Sequence, residues 1–304
     1  MPKSLRGALR RILAYGLRQT PALRQVLVKL LALGDEGTAG KFVPEMDEWV
    51  RSHYYGAVEE TANFCGDIFR GNSVLNVGCG EMLTDFGLLR LGPTSITGID
   101  ISPQPPGHFE QVRSKLAASG IHVPPDADGR LRFVCYDGEN FPFPDAHFKL
   151  IFSWSAFEHI ENVPRVLAEI SRTLKPGGHA FIQVFPWFHC LHGSHLADWI
   201  AEPYFQLRRP VDWVRAELEK QAAAEPASAD FILGHMFAEY KSLNRLSARE
   251  LYAEVRLAGF QVVKAKLISY EQDLSEAPAE IDFADLMISG TLMLLRKPED
   301  SGRA

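Results

Sequence analysis

Between residues 73 and 185, short β-rich runs alternate with helix-length segments, and this alternation constrains the fold more than any other feature of the chain. Strands are expected at Ser73 to Gly78, Ser95 to Ile101, Leu131 to Tyr136, Lys149 to Trp154 and His179 to Phe185. Helices are expected between them at Met82 to Leu91, Phe109 to Ser119 and Val163 to Leu174. Parallel strands need a crossover of about a dozen residues or more, which helices of this length supply. The pattern resumes with a helix opened by Ser247, running to Leu257 and ended by Gly259, then strands at Gln261 to Ser269 and Asp285 to Leu295. The expected class is α/β: a doubly wound, mostly parallel seven-stranded sheet with helices on both faces.

Five segments follow from this reading. Residues 1–45 form a basic helical N-terminal extension, 46–185 the first and larger part of the core, and 186–246 an insertion after the fifth strand. Residues 247–297 complete the core and 298–304 are a tail. The extension reads as two short helices. Thr20 caps the second, Pro21 opens it, Leu23, Val26, Leu27, Leu30 and Leu31 make its apolar stripe, and Gly34 stops it. The insertion is rich in aromatics and His, and its stretch from Val214 to Ala224 is helix-forming. It reads as a lid or substrate wall, or as a helical pair that only decorates the sheet.

Charge separates these segments further. The first 34 residues hold seven cations (Lys3, Arg6, Arg10, Arg11, Arg18, Arg24 and Lys29) and no acid, while the rest of the chain sets 25 basic against 38 acidic side chains. A body this acidic argues against nucleic acid as a partner. The basic extension suits either an anionic membrane surface or packing on the main domain. Arg18 and Arg24 interrupt any secretory apolar region, and charges break every run that approaches the roughly 20 apolar residues of a membrane span. Four scattered cysteines with no CxxC pair suit a reducing compartment. The expected location is cytoplasmic, with peripheral contact at the inner membrane face as an option.

Chemistry concentrates at the carboxyl ends of the strands. In SVLNVGCGEMLTDF, Gly78 and Gly80 stand where an apolar strand turns into a helix, so backbone can approach a ligand. Asp100 lies 22 residues beyond Gly78, at the end of the next strand, placed to accept the two hydroxyls of a ribose. That spacing fits a nucleoside-containing cofactor. Leu83 at the third fingerprint position disfavours a dinucleotide pyrophosphate.

With YDGENFPFPDAHFKLIFSWSAFEHI and LKPGG following in order, the sequence from about residue 50 to residue 297 resembles the class I S-adenosylmethionine-dependent methyltransferases. The resemblance implies a Rossmann-like methyltransferase fold and S-adenosyl-L-methionine as cofactor. It implies that Asn76, Gly78, Cys79 and Gly80 lie beneath the methionine part, and that Asp100 takes the ribose hydroxyls. Ile101 would pack on adenine, Asp137 would accept from its amine, the Gly138 amide would face the ring, and Ser153 would border the amine and sulfonium. LKPGG (Lys175, Pro176, Gly177, Gly178) would be a structural turn into the fifth strand. Asn76 stands where an acid is usual, keeping an acceptor without the charge. Met82 replaces a common Gly and is expected to narrow the room around the methionine tail.

A sulfonium methyl is already electrophilic, so the protein must align an acceptor and manage its proton. A hydroxyl acceptor, on a glycan or another small metabolite, calls for a base, and the candidates are His159 and His195. N- or C-methylation of a soluble molecule, or a catalytically silent cofactor-binding protein, are the alternatives. Glu158 reads either as orienting the site or as a helix cap. His189, His192 and His195 share a spacing of three, but Gly193 interrupts helix between them, so no metal is expected. His235, Tyr240 and Asn244 are expected near the acceptor. Trp187, Phe188, Trp199, Tyr204, Phe205 and Trp213 could stack on sugar rings or form the insertion's own core.

Overall fold

The computed structural model describes residues 44–299. The basic extension up to residue 43, with its expected helices and cations, lies outside the described residues, as does the tail from residue 300. Seven strands form one sheet: β1 (Ser73–Val77), β2 (Ser95–Asp100), β3 (Leu131–Cys135), β4 (Phe148–Trp154), β5 (Leu174–Val184), β6 (Gln261–Ile268) and β7 (Gly290–Arg296). Their order is β3-β2-β1-β4-β5-β7-β6, parallel except where β7 runs antiparallel between β5 and β6. This is the Rossmann-like methyltransferase fold. The order reverses between β1 and β4, so a crevice opens at the carboxyl ends of β1, β2 and β4.

Strand periodicity sorts the core into two layers. Val74, Leu150, Phe152, Phe181, Leu292 and Leu294 face one layer, and Leu75, Val77, Ile151, Ile182, Met293 and Leu295 the other. The first layer is covered by α1 (Pro44–Arg51), α2 (Ala57–Cys65), α3 (Leu83–Leu88) and α4 (His108–Ala118) through Val50, Val58, Phe86 and Leu116. The second is covered by α6 (Val163–Thr173) through Val166 and Ile170, and by α10 (Ala248–Leu257) through Leu251 and Val255. The short α5 (Ala127–Arg130) precedes β3, and α7 (Phe205–Arg208), α8 (Val211–Ala224) and α9 (Phe237–Ser242) lie between α6 and α10 in the chain. Asn162 caps α6, its side chain accepting from the Arg165 amide at 3.2 Å, so the cap is not Glu158. Ser247 and Glu250 form a capping box on α10.

Two local expectations change. LKPGG is not a turn before the fifth strand, because β5 begins at Leu174 and carries the motif as an irregular stretch: Leu174 pairs with Phe148, and His179 already with Leu150. Gly177 and Gly178 exchange hydrogen bonds with Lys297 beyond β7, which keeps the stretch in the sheet. The start of the last expected strand is instead a helical turn, α11 (Phe283–Met287). Asp282 caps it, and Asp285 takes a two-point ion pair from Arg249 at 2.6 and 3.1 Å.

Residues 186–246 pack around a third cluster formed by Phe188, Leu196, Ile200, Phe205, Val214, Leu218, Ile232, Phe237, Tyr240 and Leu243. Trp187 and Tyr204 are fully buried, while Trp199 and Trp213 pack on the edge of this cluster. The aromatic run therefore packs inward, most of it in the insertion's interior and Trp187 against the second layer of the sheet, and presents no row of rings for sugar stacking among the described residues. All four cysteines are free thiols. Among the described residues, no helix is long and apolar enough to cross a membrane.

Candidate active site

Gly78 ends β1 with φ of 71°, and a Cβ there would stand 2.4 Å from that of Ala156. Only glycine lets the β1 turn approach the loop after β4 this closely. The Gly78 and Cys79 amides both donate to the Ile99 carbonyl, at 2.9 and 3.1 Å, which ties the turn to β2. Asp100 completes the tie, because Oδ2 accepts from the Gly80 amide and Oδ1 from the Ser102 amide, each at 2.9 Å. Beside it Ile101 is 63% exposed, an uncovered apolar side chain at the rim of the crevice. Gly138 lies against it, since a Cβ there would come 3.3 Å from Ile101 Cγ2. Asp137 accepts from Asn140 Nδ2 at 2.8 Å and from the Asn140 and Glu139 amides at 2.7 and 2.9 Å, and these bonds hold its carboxyl down at about 2.

Three other expected cofactor residues point elsewhere. Ser153 is enclosed, its hydroxyl donating to the Val77 carbonyl at 2.9 Å, so it joins β4 to β1 and does not border the crevice. Ser155, two residues on, sits at the rim, with its amide and hydroxyl both donating to Gln183 Oε1. Asn76 shares the parity of Val74 and faces the first core layer, where Nδ2 donates to Asp85 Oδ2 on α3 at 2.9 Å. An acid absent from β1 is thus present on the helix packed against it. Burial pushes the Asp85 carboxyl up to about 7, opposed by the Asn76 hydrogen bond. Cys79 is buried against Gly98, and burial drives its thiol well up, with Asp85 and Asp100 adding to the effect.

Met82 also corrects its expectation. It keeps the left-handed conformation of the usual glycine, with φ of 62°, yet its side chain is fully buried in the first core layer beside Gly98. It leaves the methionine side of the crevice clear. Left-handed backbone costs a non-glycine residue about 1–2 kcal/mol, whereas burying a Met side chain returns about 1.5–3 kcal/mol. The interior packing therefore outweighs the strain.

The loop after β4 brings the two candidate bases together. His159 and His195 stand edge to face with ring centres 5.3 Å apart. His159 Nδ1 lies 2.7 Å from Ser242 Oγ on α9, and Nε2 lies 3.6 Å from Glu239 Oε2. Burial lowers the His159 pKa against the pull of Glu239, and burial followed by repulsion from His159 lowers that of His195 to about 4. Glu158 is 2% exposed, and neither carboxyl oxygen has a hydrogen-bond partner among the described residues. Burial raises it to about 8 and nearby Glu239 adds to this, while the Glu158 and Phe185 amides lie close enough to oppose it without forming hydrogen bonds. Asn244 fixes this loop, donating from Nδ2 to the Phe157 and Ile160 carbonyls at 2.6 and 2.8 Å, and its amide donates to the Glu158 carbonyl.

The remaining expected acceptor residues diverge. Tyr240 is in the insertion core, His235 stacks on Phe231, His192 is exposed, and His189 lies toward Asp285 and Glu250. Glu239 and Ser242 were not legible as site residues, since their only mark is a position near Asn244. A cavity of about 420 Å³ opens away from these residues, between α10 and strands β6 and β7.

Residues 75–182 match the methyltransferase domain family. Residues 75–182 are thus a methyltransferase domain, and the sheet around them has the class I S-adenosylmethionine-dependent methyltransferase fold. The chain is 29% identical over 195 residues to a phthiotriol/phenolphthiotriol dimycocerosates methyltransferase of Mycobacterium leprae, covering 64% of this chain and 61% of that one. It is 30% identical over 123 residues to a ubiquinone/menaquinone biosynthesis C-methyltransferase of Psychromonas ingrahamii, covering 40% and 45%. The chain thus spans less than two thirds of either relative. In fold it is similar to phosphoethanolamine N-methyltransferase 2 of Haemonchus contortus, solved with S-adenosyl-L-methionine, at a TM-score of 0.51 and 13% identity over 84% of this chain and 56% of that one.

S-adenosylmethionine, the cofactor of this class, fits the crevice: an apolar side chain lies uncovered at Ile101, a carboxylate stands at the end of β2, and the close glycine turn ends β1. Asp100→Ala is expected to weaken S-adenosylhomocysteine binding by about one to two decades, the usual loss for a charge-assisted, two-point contact. Titration calorimetry checks this, and unchanged affinity would remove Asp100 from the cofactor site.

Proposed function

We propose that the chain methylates a hydroxyl oxygen of an apolar, lipid-like small molecule. The observation that carries this reading is the pairing of His159 with His195 beside Glu158, on the loop whose Ala156 touches the Gly78 turn. The glycine turn from Gly78 to Gly80 forms the cofactor loop through its backbone, Asp100 binds the ribose, and Ile101, Asp137 and Gly138 surround the adenine. Bound S-adenosylmethionine supplies an electrophilic methyl group and leaves as S-adenosylhomocysteine. An alcohol becomes strongly nucleophilic only as its proton departs, and an imidazole at the acceptor side removes that proton. His159 is first in this role, with His195 second. The enclosed aromatics of the insertion take away the main support for a glycan acceptor, and the lipid-like class is suggested by the quinones and dimycocerosates in the names of the relatives above.

The test is transfer of labelled methyl from S-adenosylmethionine to a panel of hydroxylated lipids, quinols, glycans and amines. Product on carbon or nitrogen only would overturn O-methylation. Silence across the panel, with tight cofactor binding, would favour the cofactor-binding alternative.

For the first 34 residues we propose weak attachment to the anionic inner face of a membrane, supported by seven cations without an acid. Each cation near such a surface contributes about 1 kcal/mol, reduced by salt. Deleting residues 1–34 is expected to abolish sedimentation with anionic liposomes while sparing cofactor binding. Full-length protein that ignores such liposomes at low salt would make the segment a packing element.

A further inference from the structure

We propose that Glu158, His159 and His195 bind one divalent first-row transition ion of the zinc type, with an open position on the acceptor side. One donor atom from each residue lies within 4.8 Å of the others. Ligands of a tetrahedral ion with bonds of about 2.0–2.2 Å stand about 3.3–3.6 Å apart, so the site closes with side-chain movements of about 1 Å.

The state of each donor points to a cation. A buried carboxyl with both oxygens unmet among the described residues is costly whether it carries its proton or not, and a bound ion removes that cost. The Ser242 hydroxyl donates to the Glu239 carbonyl at 2.8 Å, so toward His159 it accepts, and the proton of that ring sits on Nδ1. This leaves the His159 Nε2 lone pair free to ligate, with Ser242 holding the ring as outer-shell partners of metal-binding histidines do. His195 Nε2 is buried and likewise has no partner among the described residues. The Glu239 carboxylate, 3.6 Å from His159 Nε2, flanks the site as an acceptor for a proton from a bound hydroxyl.

Two imidazoles and one carboxylate suit zinc, cobalt or iron(II), whereas magnesium prefers a full oxygen shell. The equal spacing of His189, His192 and His195 is thus not the relevant pattern, since the fold joins His195 to residues from another loop. Binding of the ion stands independently of methyl transfer. What the ion does there rests on the methyl-transfer reading: it lowers the pKa of an acceptor hydroxyl, and the two imidazoles then act through the ion instead of as free bases.

The test is calorimetric titration of the full chain with Zn²⁺, and absorption spectra with Co²⁺, both without cofactor or acceptor. One Zn²⁺ is expected to bind with micromolar or tighter affinity, and Co²⁺ to give the visible bands of a four- or five-coordinate site. Glu158→Gln and His195→Gln are expected to weaken Zn²⁺ by about 100-fold or more, because loss of an outer-shell partner alone costs about 10–100-fold. His192→Gln, at an exposed neighbour, leaves the affinity unchanged. Retained S-adenosylhomocysteine binding shows that the variants fold. Millimolar or weaker Zn²⁺ affinity in the wild type, or equal affinity in both ligand variants, would overturn the site. Chelator-resistant methyl transfer without zinc binding would refute the ion and leave the methyl-transfer reading intact. Zinc binding with no methylated acceptor would do the reverse.

Discussion

His159→Gln and His195→Gln are each expected to lower methyl transfer by about two to four decades while leaving S-adenosylhomocysteine affinity within a few-fold. Glutamine keeps polarity and approximate length but neither accepts a proton from an alcohol nor ligates an ion well. At position 195 it also meets the same left-handed backbone that His195 already adopts, with φ of 60°, so the substitution adds little strain of its own. Rates on a verified acceptor, paired with cofactor titrations, check the expectation. Activity within a few-fold of wild type in both variants would mean that alignment alone drives the reaction and that the proton leaves late to water. A large loss of cofactor affinity would instead make the substituted ring part of the pocket wall. If the imidazoles work through an ion, zinc affinity and turnover fall together across the substitutions. If they work as free bases, turnover falls in a protein that binds no zinc.

The second large effect concerns stability. Asp85 is fully buried, and its carboxyl stands at about 7 in the folded chain against about 3.9 in an unfolded one. The folded state therefore holds a proton that the unfolded state has lost throughout the interval between these values. Stability from this group is complete below about pH 4, declines as pH rises, and is lost through pH 7. At about 1.36 kcal/mol per unit, the decline amounts to about 4 kcal/mol. Asp85→Asn removes the titration, so its stability is expected to change less than that of the wild type over this interval. Denaturant unfolding of both proteins at pH 4 to 8 measures the difference. Parallel curves would show that Asp85 is ionised in the fold and stabilised by more than its bond from Asn76.

The sequence by itself determined the sheet, five of its seven strands nearly to the residue, and the carboxyl edge where Gly78, Asp100 and Asp137 gather. These follow from information carried locally: two-residue apolar alternation, glycine where φ is positive, and an acid at a strand's end. Only the tertiary structure decided where side chains of the same local pattern point. Ser153 and Asn76 lie on strands whose ends line the crevice, yet one bonds to the neighbouring strand and the other to Asp85 on a helix. Met82 looks like an obstruction beside glycines, but its left-handed backbone turns it inward. LKPGG has turn chemistry, and Lys297, more than a hundred residues away, keeps it in the sheet. The insertion's aromatics have the composition of a binding wall and are used as a core. Glu158, His159 and His195 come from two loops held by Asn244, Ser242 and the insertion cluster. A site of this kind is fixed by contacts between residues distant in the chain, and periodicity and spacing carry no record of such contacts.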